Sequence, residues 1–405
     1  MSSLSIAPYL PFSRVRIAAQ ELIEGMASVV LSLLPDRRFA PICSSCGQRV
    51  RSVHSESMRW VRDLRFGEHQ VLLELTQRRL RCSTCGGTRT EFHDFVEPYS
   101  RVTNRLARYI ADLCRVLSVA EVARHLGLDW KLVKACDKAT LQQEVGGTDT
   151  TGLRLIAVDE IAIKKGHRYM TVVLDYLSGR VVWLGEGRAF ETLATFFELL
   201  TEEQRKAIEA VAMDMWRAYE NAVRAYLPNA RIVYDLFHVV SSFNHEVLDA
   251  VRIASYKKAV NEDERKVIKG SKFLLYKNDE NLTDAQRPHL EELLRLNQDI
   301  ATAHVLKEPL KAIWSLRKPW AARRALREWC AHALESAIPA LARFARKLHR
   351  HRRGIIAHAR FPIHTSRLEG VNNRIKVIKR KAYGFHDPEY FALKVKQAFP
   401  GNFCT

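Results

Sequence analysis

Between residues 103 and about 141, apolar side chains recur three or four positions apart, at Leu106, Ile110, Leu113, Val116 and Leu117. That period places them on one face of a helix. Residues 15–34 read the same way, so residues 1–40 are expected to form an N-terminal helical segment. Past Gly146-Gly147-Thr148, a linker signal, the pattern changes. Residues 153–158, 169–174 and 180–184 are short apolar or β-branched runs, and Ser178-Gly179 marks a hairpin turn between the last two. They predict three consecutive antiparallel strands. Two further buried strands, Ala210–Met213 and Arg231–Tyr234, lie among helical stretches, and each is followed by an acidic residue. From 237 to about 358 no strand pattern occurs. Ala, Leu, Lys, Arg and Glu dominate there, Gly is nearly absent, and a wholly helical insertion is expected. A last helix starts near Ser366.

Composition changes this picture in three ways. The 405 residues are 47% hydrophobic, which excludes wholesale disorder. No apolar run approaches the ~20 residues of a membrane span, and no basic, cleavable leader frames residues 22–34, so neither membrane insertion nor export is expected. The formal net charge of +19 points to a polyanionic partner.

Four of the eight cysteines form two C-x-x-C pairs, Cys43/Cys46 and Cys82/Cys85, each followed by Gly. Two such knuckles supply the four soft ligands that tetrahedral Zn²⁺ takes. The strand-like segment between them implies an inserted hairpin in a zinc ribbon-like module. His54 and His93 read as surface histidines outside the ligand set.

Downstream, Ser118 and Glu121 have capping-box spacing, Gly127 suits a left-handed turn, and Asp129 caps a following helix. Two helices joined by a short Gly turn match a helix-turn-helix. Its second helix is expected to expose Lys131, Lys134 and Lys138 to DNA phosphates.

Asp159 and Asp214 end the first and fourth predicted strands of the β-rich block, and Glu369 sits on the last helix. Carboxylates gathered at adjacent strand ends can hold two divalent cations about 4 Å apart. Asp235 also ends a strand and is a rival third acid. Glu160, next to Asp159, points to the opposite face of a continuing strand and is set aside. Residues 343–381 carry thirteen Lys or Arg against one acid, Glu369, which reads as a DNA-gripping surface. Trp216, Trp314 and Trp320 read chiefly as core aromatics.

The strand order with acids after the first and fourth strands is that of the ribonuclease H-like fold. The blocks around Asp159-Glu160, Asp214-Met-Trp216, Asp235-Leu-Phe237-His238 and Glu369-Gly-Val-Asn372-Asn373 resemble those of the ISL3-type insertion-sequence transposases. The knuckles and the helix-turn-helix match that family's layout too. The resemblance implies an α/β multi-domain protein. Its parts would be the N-terminal segment (1–40), a zinc ribbon-like module (41–98) and a helix-turn-helix domain (99–147). A ribonuclease H-like mixed sheet (148–236) would follow, interrupted by an all-α insertion (237–360) and completed by 361–405.

It further implies a DDE transposase in which Asp159, Asp214 and Glu369 bind two Mg²⁺, with Mn²⁺ able to substitute, and in which Cys43, Cys46, Cys82 and Cys85 bind one structural Zn²⁺. Double-stranded DNA would be the partner, both as element ends and as target, with Asn372, Asn373, Arg374, Lys376, Lys379 and Arg380 touching it. A homodimer or larger assembly on DNA, in the cytoplasm at the prokaryotic nucleoid, completes the expectation. The alternative is a sequence-specific DNA-binding regulator with an inactive ribonuclease H-like domain.

Overall fold

The computed structural model describes residues 10, 12–23, 27–164, 168–363, 366–382 and 385–401, with backbone alone at 163, 164, 168, 279 and 366–369. The chain divides into two compact units, Met1–Gly146 and Gly147–Thr405.

The first unit opens on strands. Val15–Ile23 (β1) and Ser28–Pro35 (β2) form an antiparallel pair of strands in place of the expected helix. The two periods compete here, and β2's partner decides. Val29, Leu31 and Leu33 alternate along β2 and pair in parallel register with Val71, Leu73 and Leu75 of β4 (His69–Cys82). Together with Val61 of β3 (Val53–Phe66) they bury one face of the sheet. A helix would scatter that row, and the β-branched content of 15–34 favours the strand. The sheet order is β1-β2-β4-β3, with β5 (Gly87–Thr90) paired to β4.

Three helices complete this unit: α1 (Asn104–Val116), α2 (Val119–Leu126) and α3 (Trp130–Val145). The caps form as their residue types require. Ser118 and Glu121 make the reciprocal capping box, Gly127 ends α2 at φ 62°, and the Asp129 carboxylate accepts from the N–H groups of Lys131 and Leu132. Leu106, Ile110, Val122, Leu126 and Val133 form the shared core. Asp63 of β3 accepts hydrogen bonds from Thr103 Oγ1 (2.6 Å) and Arg105 Nε (2.7 Å), which fixes α1 to the sheet.

The second unit is built on β6 (Leu155–Lys164), β7 (Arg168–Asp175), β8 (Val181–Glu186), β9 (Ala210–Met213) and β10 (Arg231–Tyr234). Their order is β10-β9-β6-β7-β8. The first three in the chain form an antiparallel meander, while β9 and β10 run parallel to β6. This is the ribonuclease H-like mixed sheet. The connecting helices are α4 (Phe190–Glu198), α5 (Glu202–Ala207), α6 (Arg217–Tyr226) and α7 (Leu236–Phe243).

The insertion is helical as its composition predicts. It contains α8 (Asp249–Lys258), α9 (Glu262–Ile268), α10 (Lys272–Tyr276), α11 (Gln286–Leu296), α12 (Gln298–Val305), α13 (Lys307–Ala312), α14 (Pro319–Glu335) and α15 (Pro339–Ala357). Then come α16 (Ser366–Lys381) and α17 (Pro388–Ala398), the second of which the sequence reading missed. Its signals were Asp387 as N-cap, Pro388 in the first turn, and Phe391 and Val395 one turn apart.

The sheet has two different covers. Ile156, Val158, Val211, Met213 and Tyr234 face the core shared with α4, α6 and the insertion. Ala157, Ile161, Ala212 and Val233 face α16 and α17 through Val371, Ile375, Phe391 and Val395. Helix α15 packs on edge strand β10 at Gly354, where an added Cβ would sit 2.4 Å from the Tyr234 ring. Gly354→Ala is therefore expected to destabilise this unit by about 1–3 kcal/mol, read as a lowered denaturation midpoint.

Candidate functional site

The two cysteine knuckles come together. Cys43 and Cys46 lie in a tight hairpin closed by the Ile42–Arg49 bridge, and Cys82 and Cys85 lie in the β4–β5 hairpin. The long β3–β4 hairpin fills the spacing between them. All four sulfurs lie within 4.8 Å of one another. Cys43 Sγ is 3.8 Å from Cys85 Sγ, and Cys46 Sγ is 3.6 Å from Cys82 Sγ. A Zn–S bond of about 2.3 Å gives a tetrahedral edge of about 3.8 Å, so the donor set fits Zn²⁺. Burial raises the Cys43 thiol, but N–H groups of Cys46 and Ser45 and the neighbouring thiols outweigh it and bring it down to about 6. Cys85 is pushed up to about 12, first by its contact with Cys46 and then by burial. Sulfurs this close can all be thiolates only with a cation among them. His54 is exposed, as expected, but His93 is not a surface residue. It is 4% exposed, packs on the Phe95 ring, and burial lowers its pKa.

On α3, Lys131 is exposed, whereas Lys134 and Lys138 are half-buried and already engaged. The expected three-lysine face is therefore reduced to Lys131. The exposed surface at the helix start is instead Trp130 with Lys131, whose Nζ lies 5.9 Å from the indole ring.

The acids are set by strand register. Ala157 of β6 pairs with Ala212 of β9, so two residues on, Asp159 lies level with Asp214. Met213 pairs with Tyr234, so Asp235 lies one place beyond in the same row. The alternation of the strands turns this row toward α16 and α17. Helix α7 brings His238 between the first two acids, with Nε2 3.9 Å from Asp159 Oδ1 and Nδ1 3.9 Å from Asp214 Oδ2.

Helix α16 contributes Asn372, whose Nδ2 donates to Asp159 Oδ2 at 2.6 Å. Burial pushes the Asp159 carboxyl above its ordinary range, against the opposing pull of His238, the Glu160 N–H and the Asn372 amide. Asp235 is 3% exposed, deeper than Asp214, whose side chain is 35% exposed. Glu369 lies on the backbone of α16, and its side chain is outside the described residues.

Asn372, expected to touch DNA, is buried and turned to Asp159 because it lies on the α16 face that packs on the sheet. Its Oδ1 is buried without a hydrogen-bond partner among the described residues. The carboxylate oxygens of Asp159 and Asp214 and the unmet Asn372 acceptor are hard donors, with the His238 imidazole beside them, and hard oxygen donors fit Mg²⁺ or Mn²⁺. Of the other residues expected to grip DNA, Asn373, Arg374, Lys376 and Arg380 are exposed. Lys379 folds back to the carbonyl of Ala162 at 3.2 Å.

Glu160 does leave the sheet on the other face. Its carboxyl is also raised, by burial first and then by Asp159 and Asp214, and it pairs with Arg188 at 3.3 Å. The Arg188 guanidinium lies 4.1 Å from the Tyr169 ring and 4.8 Å from the Trp216 ring, a cluster the sequence reading missed. Trp216 is 38% exposed and Trp320 is more so, while Trp314 is core, its indole N–H donating to the Tyr234 carbonyl.

Comparison with known proteins agrees with these parts. Residues 156–395 match a family described as transposase. Residues 92–138 match the helix-turn-helix domain of transposase family ISL3, and residues 40–85 match the zinc-finger of transposase IS204/IS1001/IS1096/IS1165. Fold and matches together define a transposase. The transposase for insertion sequence element IS1001 of Bordetella parapertussis is 45% identical over 363 residues, 89% of either chain. The transposase for insertion sequence element IS1557 of Mycobacterium tuberculosis is 28% identical over 391 residues, 90% of this chain and 86% of that one. The chain belongs to the ISL3 family of insertion-sequence transposases.

Proposed function

We propose that this transposase binds the terminal inverted repeats of an insertion sequence and carries out metal-dependent DNA strand cleavage and strand transfer at the Asp159–Asp214 row. The observation that carries this reading is that row, closed by Asn372 from α16 one helical turn from Glu369. Asp159, Asp214 and Glu369 would hold two Mg²⁺ ions, with Mn²⁺ able to substitute. Such ions, when bound, activate the attacking oxygen and offset charge on the scissile phosphate. Asn372 orients Asp159, and His238 keeps the two aspartates in one row. Water attacks the phosphodiester at the element end and frees a 3′-hydroxyl. That hydroxyl then attacks target DNA, and each displacement breaks one P–O bond as it forms another.

The ribbon (41–98), with one structural Zn²⁺ on its four cysteines, and the helix-turn-helix (99–147), with Lys131 on its exposed face, read the element ends. The catalytic core comprises 148–236 and 361–405, interrupted by 237–360. Asn373, Arg374, Lys376, Lys379 and Arg380 flank the cut. Synapsis of two ends requires a dimer or larger assembly on DNA. The substrate places the protein in the cytoplasm at the nucleoid. Among the described residues no helix is long and apolar enough to cross a membrane.

The test is cleavage and joining of a duplex carrying the element's own flanks, with Mg²⁺ and with chelator. Metal-dependent nicks bearing 3′-hydroxyls, followed by joined products, are expected. Specific binding without any metal-dependent cleavage would favour the regulator. Asn372→Ala is expected to slow cleavage about 10–100-fold and to raise the Mg²⁺ concentration needed for half-maximal rate, with DNA affinity unchanged. Asn372→Asp, which loses the N–H donor and sets a second carboxylate against Asp159, is expected to lose at least as much.

A further inference from the structure

The basic run at 343–381 does not stand alone. Its first half folds beside arginines from elsewhere in the second unit and lines a groove of about 1360 Å³ between α6, β10, α14 and α15. That volume exceeds the ~300–1,000 Å³ usual for a small-molecule pocket. Eight arginines line it, with no lysine, aspartate or glutamate among the lining residues. Arg323 and Arg327 stand one turn apart on α14, Arg353 stands on α15, and Arg231 opens β10.

The carboxylate beneath the groove, Glu220, is already balanced. Glu220 is buried and accepts from the Tyr234 hydroxyl at 2.6 Å, with Arg224 and His351 Nε2 each 3.2 Å away. His351 Nδ1 lies 2.8 Å from the Lys347 carbonyl. Both ring nitrogens thus face acceptors, which favours the protonated ring, and the Glu220 contact raises the His351 pKa. The other seven arginines have no carboxylate within 4 Å among the described residues, and all are exposed.

Like charges crowded in one concavity repel each other until an anion enters it. Guanidinium forks match phosphate oxygens two bonds at a time, which makes an all-arginine lining suited to a phosphate backbone. None of the acids lines the groove. It runs along edge strand β10, abutting Tyr234 and Val223 on the sheet face opposite the Asp159–Asp214 row and reaching Ala357 and Phe361 at the other face.

We infer that this arginine groove is a second DNA-binding surface, which takes the phosphate backbone of double-stranded DNA without reading its bases. The inference rests on the reading of the chain as an enzyme acting on DNA. The test uses the full chain and a random-sequence duplex, with affinity followed by fluorescence anisotropy across a salt series. In Arg323→Gln/Arg327→Gln/Arg353→Gln the slope of log affinity against log salt is expected to fall by roughly 2–3, close to 0.9 per lost phosphate contact. The corresponding triple lysine variant is expected to keep the slope, which separates lost charge from lost fold.

A control with the same charge change on the exposed Lys257, Lys269 and Arg295, each to Gln, is expected to keep it too. An unchanged slope in the groove variant, or equal loss in groove and control variants, would overturn the inference. So would polyglutamate binding wild type as tightly as the duplex does and losing that binding in the groove variant, since the partner would then be an acidic protein. Wild type that bound no DNA at all would instead remove the transposase reading itself.

Discussion

Asp159→Asn and Asp214→Asn are each expected to slow metal-dependent strand cleavage at least about 10³-fold while leaving DNA binding intact. Each change keeps the shape of the side chain and removes one charge from the row. Metal stabilisation of a phosphoryl transition state is worth several kcal/mol, and each 1.36 kcal/mol is a factor of ten in rate. The two substitutions should not be alike in the free protein. Asp159 is hydrogen-bonded by Asn372 and largely buried, so its amide variant must rearrange that contact. Asp214 is more open, so its variant should retain wild-type stability. Single-turnover cleavage and thermal melting on the same preparations check both parts. Cleavage within tenfold of wild type in both variants would place the chemistry elsewhere.

The second large effect concerns the ribbon. Purified protein is expected to carry about one Zn per chain, and chelation or Cys46→Ser is expected to unfold the two knuckles at residues 40–50 and 82–90, while β3 and β4 keep their own core with β2. The core beneath the knuckles is small, with Val50 and Leu80 packed against the four cysteines. Structural zinc sites bind with roughly 10–16 kcal/mol at neutral pH, far more than so small a core supplies. End-specific DNA binding should be lost with the module. The second unit, with its own core, should melt at its original temperature. Metal analysis showing no zinc, with all four thiols freely reactive, would contradict this.

What was legible in the sequence was what local chemistry decides. The helix-turn-helix rests on Ser118, Glu121, Gly127 and Asp129, each acting within three residues of its partner, and all four act as read. The knuckles are local as well, and strands β9 and β10 are too short and apolar to be much else. What failed was decided at a distance. The expected helix over 15–34 gave way to strands β1 and β2 because β4, some forty residues on, offers a matching row of Val71, Leu73 and Leu75. Asn372 reads as a surface polar residue until α16 is laid against β6, 213 positions earlier in the chain. Lys134 and Lys138 look exposed from composition, but the helix face they occupy is half-covered. The arginine groove draws on four elements, and the 343–381 run shows only one wall of it.

The most direct measurement is strand cleavage and joining on the element's own ends with Mg²⁺ or Mn²⁺, comparing wild type with Asp159→Ala, Asp214→Ala, Glu369→Ala and Asp235→Ala. Activity lost in the first three and kept in Asp235→Ala is the expected result, and it would establish the reaction and its three acids together. Loss in Asp235→Ala with Glu369→Ala active would keep the enzyme and move its third ligand. Full activity in both Asp159→Ala and Asp214→Ala, or no metal-dependent cleavage by wild type that still binds its ends, would contradict a DDE transposase.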